Sequence, residues 1–143
     1  MLKFDKKRSL FKLIKNSVNC KFFQSIYFID EKGKSKDILK KGELSCAFYV
    51  GVILRILKLV DSVHTTVEGT IKDMLENGWQ ETDKLVKGAV IVWEKRNGHY
   101  HIGFYLGNKK AVSNSSQKRK PIIHSLNYQN RKIEKIYIHP EIF

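Results

Sequence analysis

The chain reads as an α+β protein, helices first and an antiparallel sheet after them. Two observations lead there. Apolar residues recur at helical spacing in the first half and include one nearly all-apolar run over 45–60. From Lys87 onward the apolar period changes to two, with Gly-containing turns between the segments.

The bulk numbers suit a single domain over residues 1–143. Apolar residues make up 42% and aromatics 11%, enough to fill one core. No Ser/Gly-rich linker and no internal repeat divides the chain. Within that domain, 1–30 reads as an N-terminal helix and an extended segment. Residues 6–18 place Leu10, Leu13, Ile14 and Ser17 on one face, with lysines around the rest. Such a helix packs on its own domain more often than on a membrane surface. Residues 22–30 are aromatic and β-branched, which predicts extended chain, and Glu31-Lys32-Gly33-Lys34 predicts a turn.

The run over 45–60 is too long for an ordinary strand and is expected to be a buried helix, with Ser45 as its N-cap. Thr65 and Glu68 have the spacing of a capping box, so a helix from Thr66 to Glu76 is expected, stopped by Asn77-Gly78. Strands are then expected over 89–93, 100–106, 110–113, 121–126 and 133–139, joined as a meander. Asn97-Gly98 and Gly107-Asn108 mark tight turns.

Charge and cysteine usage bound the function. There are 27 Lys and Arg against 14 Asp and Glu, a net charge of +13. That field attracts polyanions without choosing among them. The two cysteines, Cys20 and Cys46, exclude a dense disulfide framework. The basic N-terminus lacks the clean apolar core and cleavage site of a signal peptide. The apolar run from Cys46 is closed by Arg55, far short of a membrane span. The default expectation is therefore a cytoplasmic chain with no integral membrane segment, with export by another route left open.

Chemistry centres on Cys46 and His101. Cys46 opens the expected buried helix, where unpaired N–H groups and the helix dipole favour thiolate and can bind an oxyanion. Cys20 has no such setting and reads as structural. Alternation puts His99, His101, Gly103 and Tyr105 on one strand face and Tyr100, Ile102, Phe104 and Leu106 on the core face. Gly103 leaves room for another element, and a docked helix N-terminus there would bring Cys46 to His101. A third group should orient the ring. The residues opposite His101 are expected near Ser113 or Asn114. Asn114 is the better acceptor for an Nδ1–H, and His124 on the next strand is the other candidate. The five histidines show no acidic partner at ligand spacing and no CxxC pair, so no metal is expected. No Gly-x-Ser-x-Gly elbow is present.

In that order the pieces resemble the NlpC-type and CHAP-type papain-like cysteine hydrolases, over about residues 42–126. The segment from Gly42 to Val50 resembles the family's nucleophile segment. Lys87-Gly88 with the apolar run to Trp93 is similar to its first core strand. His101-Ile102-Gly103-Phe104-Tyr105-Leu106-Gly107 matches its His-x-Gly-x-Tyr-x-Gly motif. Ala89 stands where the family usually has Asp, and Ser45-Cys46-Ala47 replaces its Asp-Cys-Ser-Gly. Counted against the pattern, the third polar residue falls at Ser113. The resemblance implies a papain-like fold and hydrolysis of a peptide or amide bond through an acyl-enzyme, with no cofactor needed. Cys46 would be the nucleophile and His101 the base, with Asn114 or His124 holding the ring. Peptidoglycan peptide is the implied substrate. Two alternatives remain at this stage: a lipid acyltransferase or thioesterase of the same fold, and a non-enzymatic basic module that binds a polyanion.

Overall fold

Local capping decides where the helices begin. The Asp5 carboxylate accepts the Arg8 N–H at 3.0 Å and starts α1 (Lys6–Ser17). Its face of Leu10 and Ile14 is buried in the domain's own core, as the spacing predicts. Ser17 closes the helix, donating Oγ–H to the Ile14 carbonyl at 2.6 Å and lying 2.8 Å from the Tyr49 hydroxyl. A short hairpin follows, β1 (Tyr27–Ile29) and β2 (Ser35–Asp37). Its turn is held by the Asp30 carboxylate, which accepts the N–H groups of Lys32 and Lys34. The extended segment is thus shorter than 22–30, and its partner strand was not foreseen.

The apolar run forms α2 (Cys46–Ile56), ending four residues before the sequence suggests. Lys58 turns left-handed there, with φ of 58°. Ser45 occupies the N-cap position, yet its hydroxyl makes no capping bond and is buried without a partner. The capping residue of α3 (Val67–Glu76) is Thr66, not Thr65; its Oγ accepts the Gly69 N–H at 3.0 Å. Gly78 follows the helix with φ of +92°.

The computed structural model, which describes residues 1–143, completes the chain with β3 (Gln80–Thr82), β4 (Val90–Arg96), β5 (His99–Gly107), β6 (Lys110–Ser115), β7 (Lys120–Ser125) and β8 (Ile133–Ile138). All neighbours are antiparallel in the order β3-β8-β4-β5-β6-β7. The expected meander therefore holds only from β4 to β7. The last strand returns to the other side of β4, and β3, a strand the period did not reveal, pairs outside it. At Asn97-Gly98 both residues have positive φ, 52° and 82°, the twist a two-residue hairpin requires.

Period-two alternation sorts the central strands into two faces. Val90, Val92, Ile102, Phe104 and Val112 join Tyr49, Val50 and Leu54 of α2 in the main core. Ile91, Trp93 and Ala111 face the other way and are covered by Tyr128. The middle of the sheet is thus dry on both sides, and any polar side chain there must find its partners within the protein.

Asp73 of α3 shows the same rule at the edge of the core. Its carboxylate accepts the N–H groups of Asp61 and Ser62, the His64 ring at 2.7 Å and the Asn77 amide at 2.8 Å. Burial works to raise its pKa, but those hydrogen bonds prevail and hold it below the ordinary 3.8. A carboxyl depressed in the folded state stabilises the fold above its unfolded pKa, and that contribution fades as pH falls through the folded value. Asp73→Ala should cost about 2 kcal/mol or more at neutral pH, from the donors left unpaired. Urea unfolding as a function of pH should show the deficit narrowing below about pH 4.

Candidate active site

Cys46 is the first residue of α2, and its Sγ lies 4.0 Å from the Tyr100 carbonyl on β5. The thiol's environment pulls two ways. Withdrawal from water is the larger influence and pushes its pKa up. The N–H groups of Ile102, Ala47 and Cys46 and the positive charge of Arg131 act in the opposite sense without prevailing. The helix N-terminus is where the sequence places it, but it does not make a resting thiolate. Cys46 rests as the thiol. Cys20 is also a free thiol, with the Phe22 N–H 3.4 Å from its sulfur.

His101 on β5 is 4% exposed. Its ring lies parallel to Tyr128, 3.6 Å between centroids and 6° between planes, with Trp93 5.3 Å away. Burial, helped by His124 and Arg131, holds its pKa well below 6.5, so the ring is neutral. Cys46 and His101 border one cleft of about 740 Å³ that also takes in Tyr100, Asn114, Tyr128 and Arg131. No hydrogen bond joins the thiol to the ring.

The side chain that bonds the His101 ring is neither of the two candidates that chemistry favoured. Ser113 Oγ is 2.8 Å from His101 Nε2, and on its other side 2.6 Å from His124 Nε2. His124 Nδ1 in turn is 2.6 Å from the Ser125 carbonyl. Asn114 points to the opposite face of β6, where its amide donates to the Gly42 carbonyl at 2.8 Å and its Oδ1 is buried without a partner. The ring nitrogen engaged is Nε2, not Nδ1. His124 belongs to the network at one remove.

The reason is register. Phe104 pairs with Val112 and Tyr105 with Ala111, which carries Ser113 to a place opposite Gly103, two residues from the expected position opposite His101. Gly103 makes that approach possible. A Cβ there would stand 2.6 Å from the Ser113 Cβ and 2.8 Å from the Val112 carbonyl oxygen. The space beside the glycine is therefore filled by Ser113 and not by the helix terminus the sequence suggested.

Other histidines lie outside this cluster. His99 is exposed, His64 pairs with Asp73, and His139 Nε2 meets the Asn77 carbonyl at 2.8 Å. Two contributors were not foreseen, Tyr128 and Arg131. Both lie in the turn between β7 and β8, where Gln129 and Asn130 have positive φ. Arg131 donates Nη1–H to the His99 carbonyl at 3.1 Å and stands over the Tyr128 ring. The available signal was a lone aromatic inside the polar run Asn127 to Arg131.

Two outcomes are expected. Gly103→Ala should lower stability by about 1–3 kcal/mol through overpacking, read as a fall in Tm. With Cys20→Ala as background, iodoacetamide should alkylate Cys46 with a midpoint above the ordinary cysteine value, and Arg131→Gln should move it higher still. Compared with protein-family models and with curated protein sequences, the chain matches none of them.

Proposed function

We propose that this protein is a cysteine hydrolase of papain-like architecture that cleaves a peptide or amide bond through an acyl-enzyme. One observation carries the reading. A cysteine at a helix start and a buried neutral histidine border the same cleft, and the histidine's Nε2 is already engaged by Ser113. That leaves Nδ1 for the thiol proton. The resemblance of the residues around Cys46 and His101 to NlpC-type and CHAP-type hydrolases supports peptidoglycan peptide as the substrate class.

The chemistry follows from the resting charges. Both partners start neutral, so the thiol proton moves to His101 Nδ1 as Sγ attacks the carbonyl carbon. The N–H groups that face Sγ, those of Cys46 and Ala47 at the helix start, are positioned to receive the oxyanion. Collapse breaks the C–N bond, and His101 returns the proton to the leaving amine. Water then attacks the thioester, giving its proton to Nδ1, and the sulfur expelled as thiolate takes that proton back. Nothing in these steps requires a metal or cofactor.

The net charge of +13 favours a second reading, a basic module that holds an anionic polymer and leaves Cys46 inert. Arg8, Lys12, Lys15 and Lys87 border one shallow hollow that such a polymer could occupy. Incubation with muropeptides, scored by new free amines, separates the two. The hydrolase reading expects turnover that Cys46→Ala abolishes and His101→Ala cuts by about 10²–10⁴-fold. No turnover and no acyl adduct on Cys46, with binding to anionic polymer that falls steeply with salt, would replace it by the basic module.

A further inference from the structure

The network behind His101 has a direction, and donor bookkeeping fixes it. The Ser125 carbonyl can only accept, so His124 must carry a proton on Nδ1 to make its 2.6 Å bond. A neutral His124 then has a bare Nε2. Ser113 lies 2.6 Å from that nitrogen and must give it the hydroxyl proton. A serine has one such proton. Toward His101, 2.8 Å away, Ser113 can therefore only accept, and His101 must carry its proton on Nε2. The Nδ1 of His101 is left bare.

We propose that His124 is a positioning residue that sets the tautomer of His101 through Ser113, and that receives the positive charge when His101 Nδ1 takes a proton. The inference rests on the hydrolase reading for its use in catalysis, but the tautomer itself does not. The proton balance is simple. A proton arrives on His101 Nδ1. The Nε2 proton of His101 passes to Ser113 Oγ, and the Ser113 proton passes to His124 Nε2. One proton has entered, and the charge ends on His124, with His101 neutral and protonated on Nδ1. In that form His101 holds the proton the leaving amine needs, so one relay serves both halves of the reaction.

Surroundings favour the transfer. His101 is 4% exposed, sandwiched beside Tyr128 and Trp93, while His124 lies on the edge strand β7 and is more open. The groups around His124 are Ser113 and Ala111 on β6, Trp93 on β4, His101 on β5 and Tyr128 from the following turn. Arg131 acts on His101, and Lys110 sits opposite the neighbouring Ser125. No carboxylate bonds to either ring, so nothing pins the charge at His101. The same relay makes the site sensitive to acid. Both histidines are shifted downward by burial, His101 the further, so His124 is the one that holds charge first as pH falls. The bare Nδ1 is then gone, and the base with it.

Nitrogen-15 NMR of the intact chain tests this without any substrate. At pH 7.5 His101 should show the Nε2–H tautomer and His124 the Nδ1–H tautomer. On acidification His124 should become imidazolium in the same step that turns His101 into its Nδ1–H tautomer. His124→Gln, whose amide oxygen accepts the Ser113 proton but holds no charge, should keep His101 on Nε2–H through that step. It should also move the acid limb of kcat/KM to lower pH. A neutral His101 protonated on Nδ1 at pH 7.5, or a His124 titration that leaves His101 unchanged, would overturn the relay. If muropeptide turnover fails while the coupled tautomer change is seen, the hydrolase reading falls and the relay stands.

Discussion

Gly103 and Ser113 stand closer than any two side-chain-bearing residues could, and the site is organised around that approach. Ordinary strand pairing would place a Cβ at position 103 within 2.6 Å of the serine's own. With hydrogen there instead, Ser113 leans into the space diagonal to His101, and its hydroxyl comes between two imidazoles on neighbouring strands. Each of the three side chains sits on the same face of the sheet because β5, β6 and β7 pair in a register that the tight turns enforce. The polar cluster is a product of strand geometry.

Burial then decides the electrostatics. The face that carries His101 is covered by Tyr128 and Trp93, so a charge on the ring is penalised, and withdrawal from water favours the neutral thiol at Cys46 as well. A carboxylate in the place of Ser113 would have reversed this, by holding an imidazolium and drawing a thiolate to it. A hydroxyl cannot do so. It can only pass hydrogen bonds along, and the cluster is satisfied through a backbone carbonyl at its far end. Three nearby polar atoms are not satisfied, Ser45 Oγ, Asn114 Oδ1 and Arg131 Nε. All belong to residues beside the proposed nucleophile or lining the cleft, where strict pairing is relaxed.

What the sequence made legible follows the strength of local physics. The α+β arrangement came from period alone, and α1, α2 and α3 lie within a few residues of their expected spans because apolar spacing and capping are local signals. Tight turns were readable from Asn-Gly and Gly-Asn pairs. The order of β8 was not, because pairing with β4 is a long-range choice that no neighbouring residue announces. At the site, Cys46 and His101 could be singled out by position and motif. Their partner could not be derived from preference. Asn114 is the better acceptor in isolation, but alternation puts it on the other face, and only the register identifies Ser113. Tyr128 was hidden for a similar reason, since a turn residue's contacts depend on how the turn folds back.

A neutral thiol and a neutral imidazole that border one cleft have a consequence for when reactivity would appear. In a resting ion pair the nucleophile is present before substrate arrives, and any electrophile that reaches it reacts. In the hydrolase we propose, the proton would leave sulfur as the new bond forms, so the base would be needed only while a carbonyl is in place. Charge created at that moment is unwelcome on His101, which is buried, and less so on His124, which is nearer water. In the relay we propose, separating the atom that takes the proton from the ring that carries the charge spares the buried His101 ring that charge. In that proposal the cost of charging a histidine is also kept away from a ring only 4% exposed.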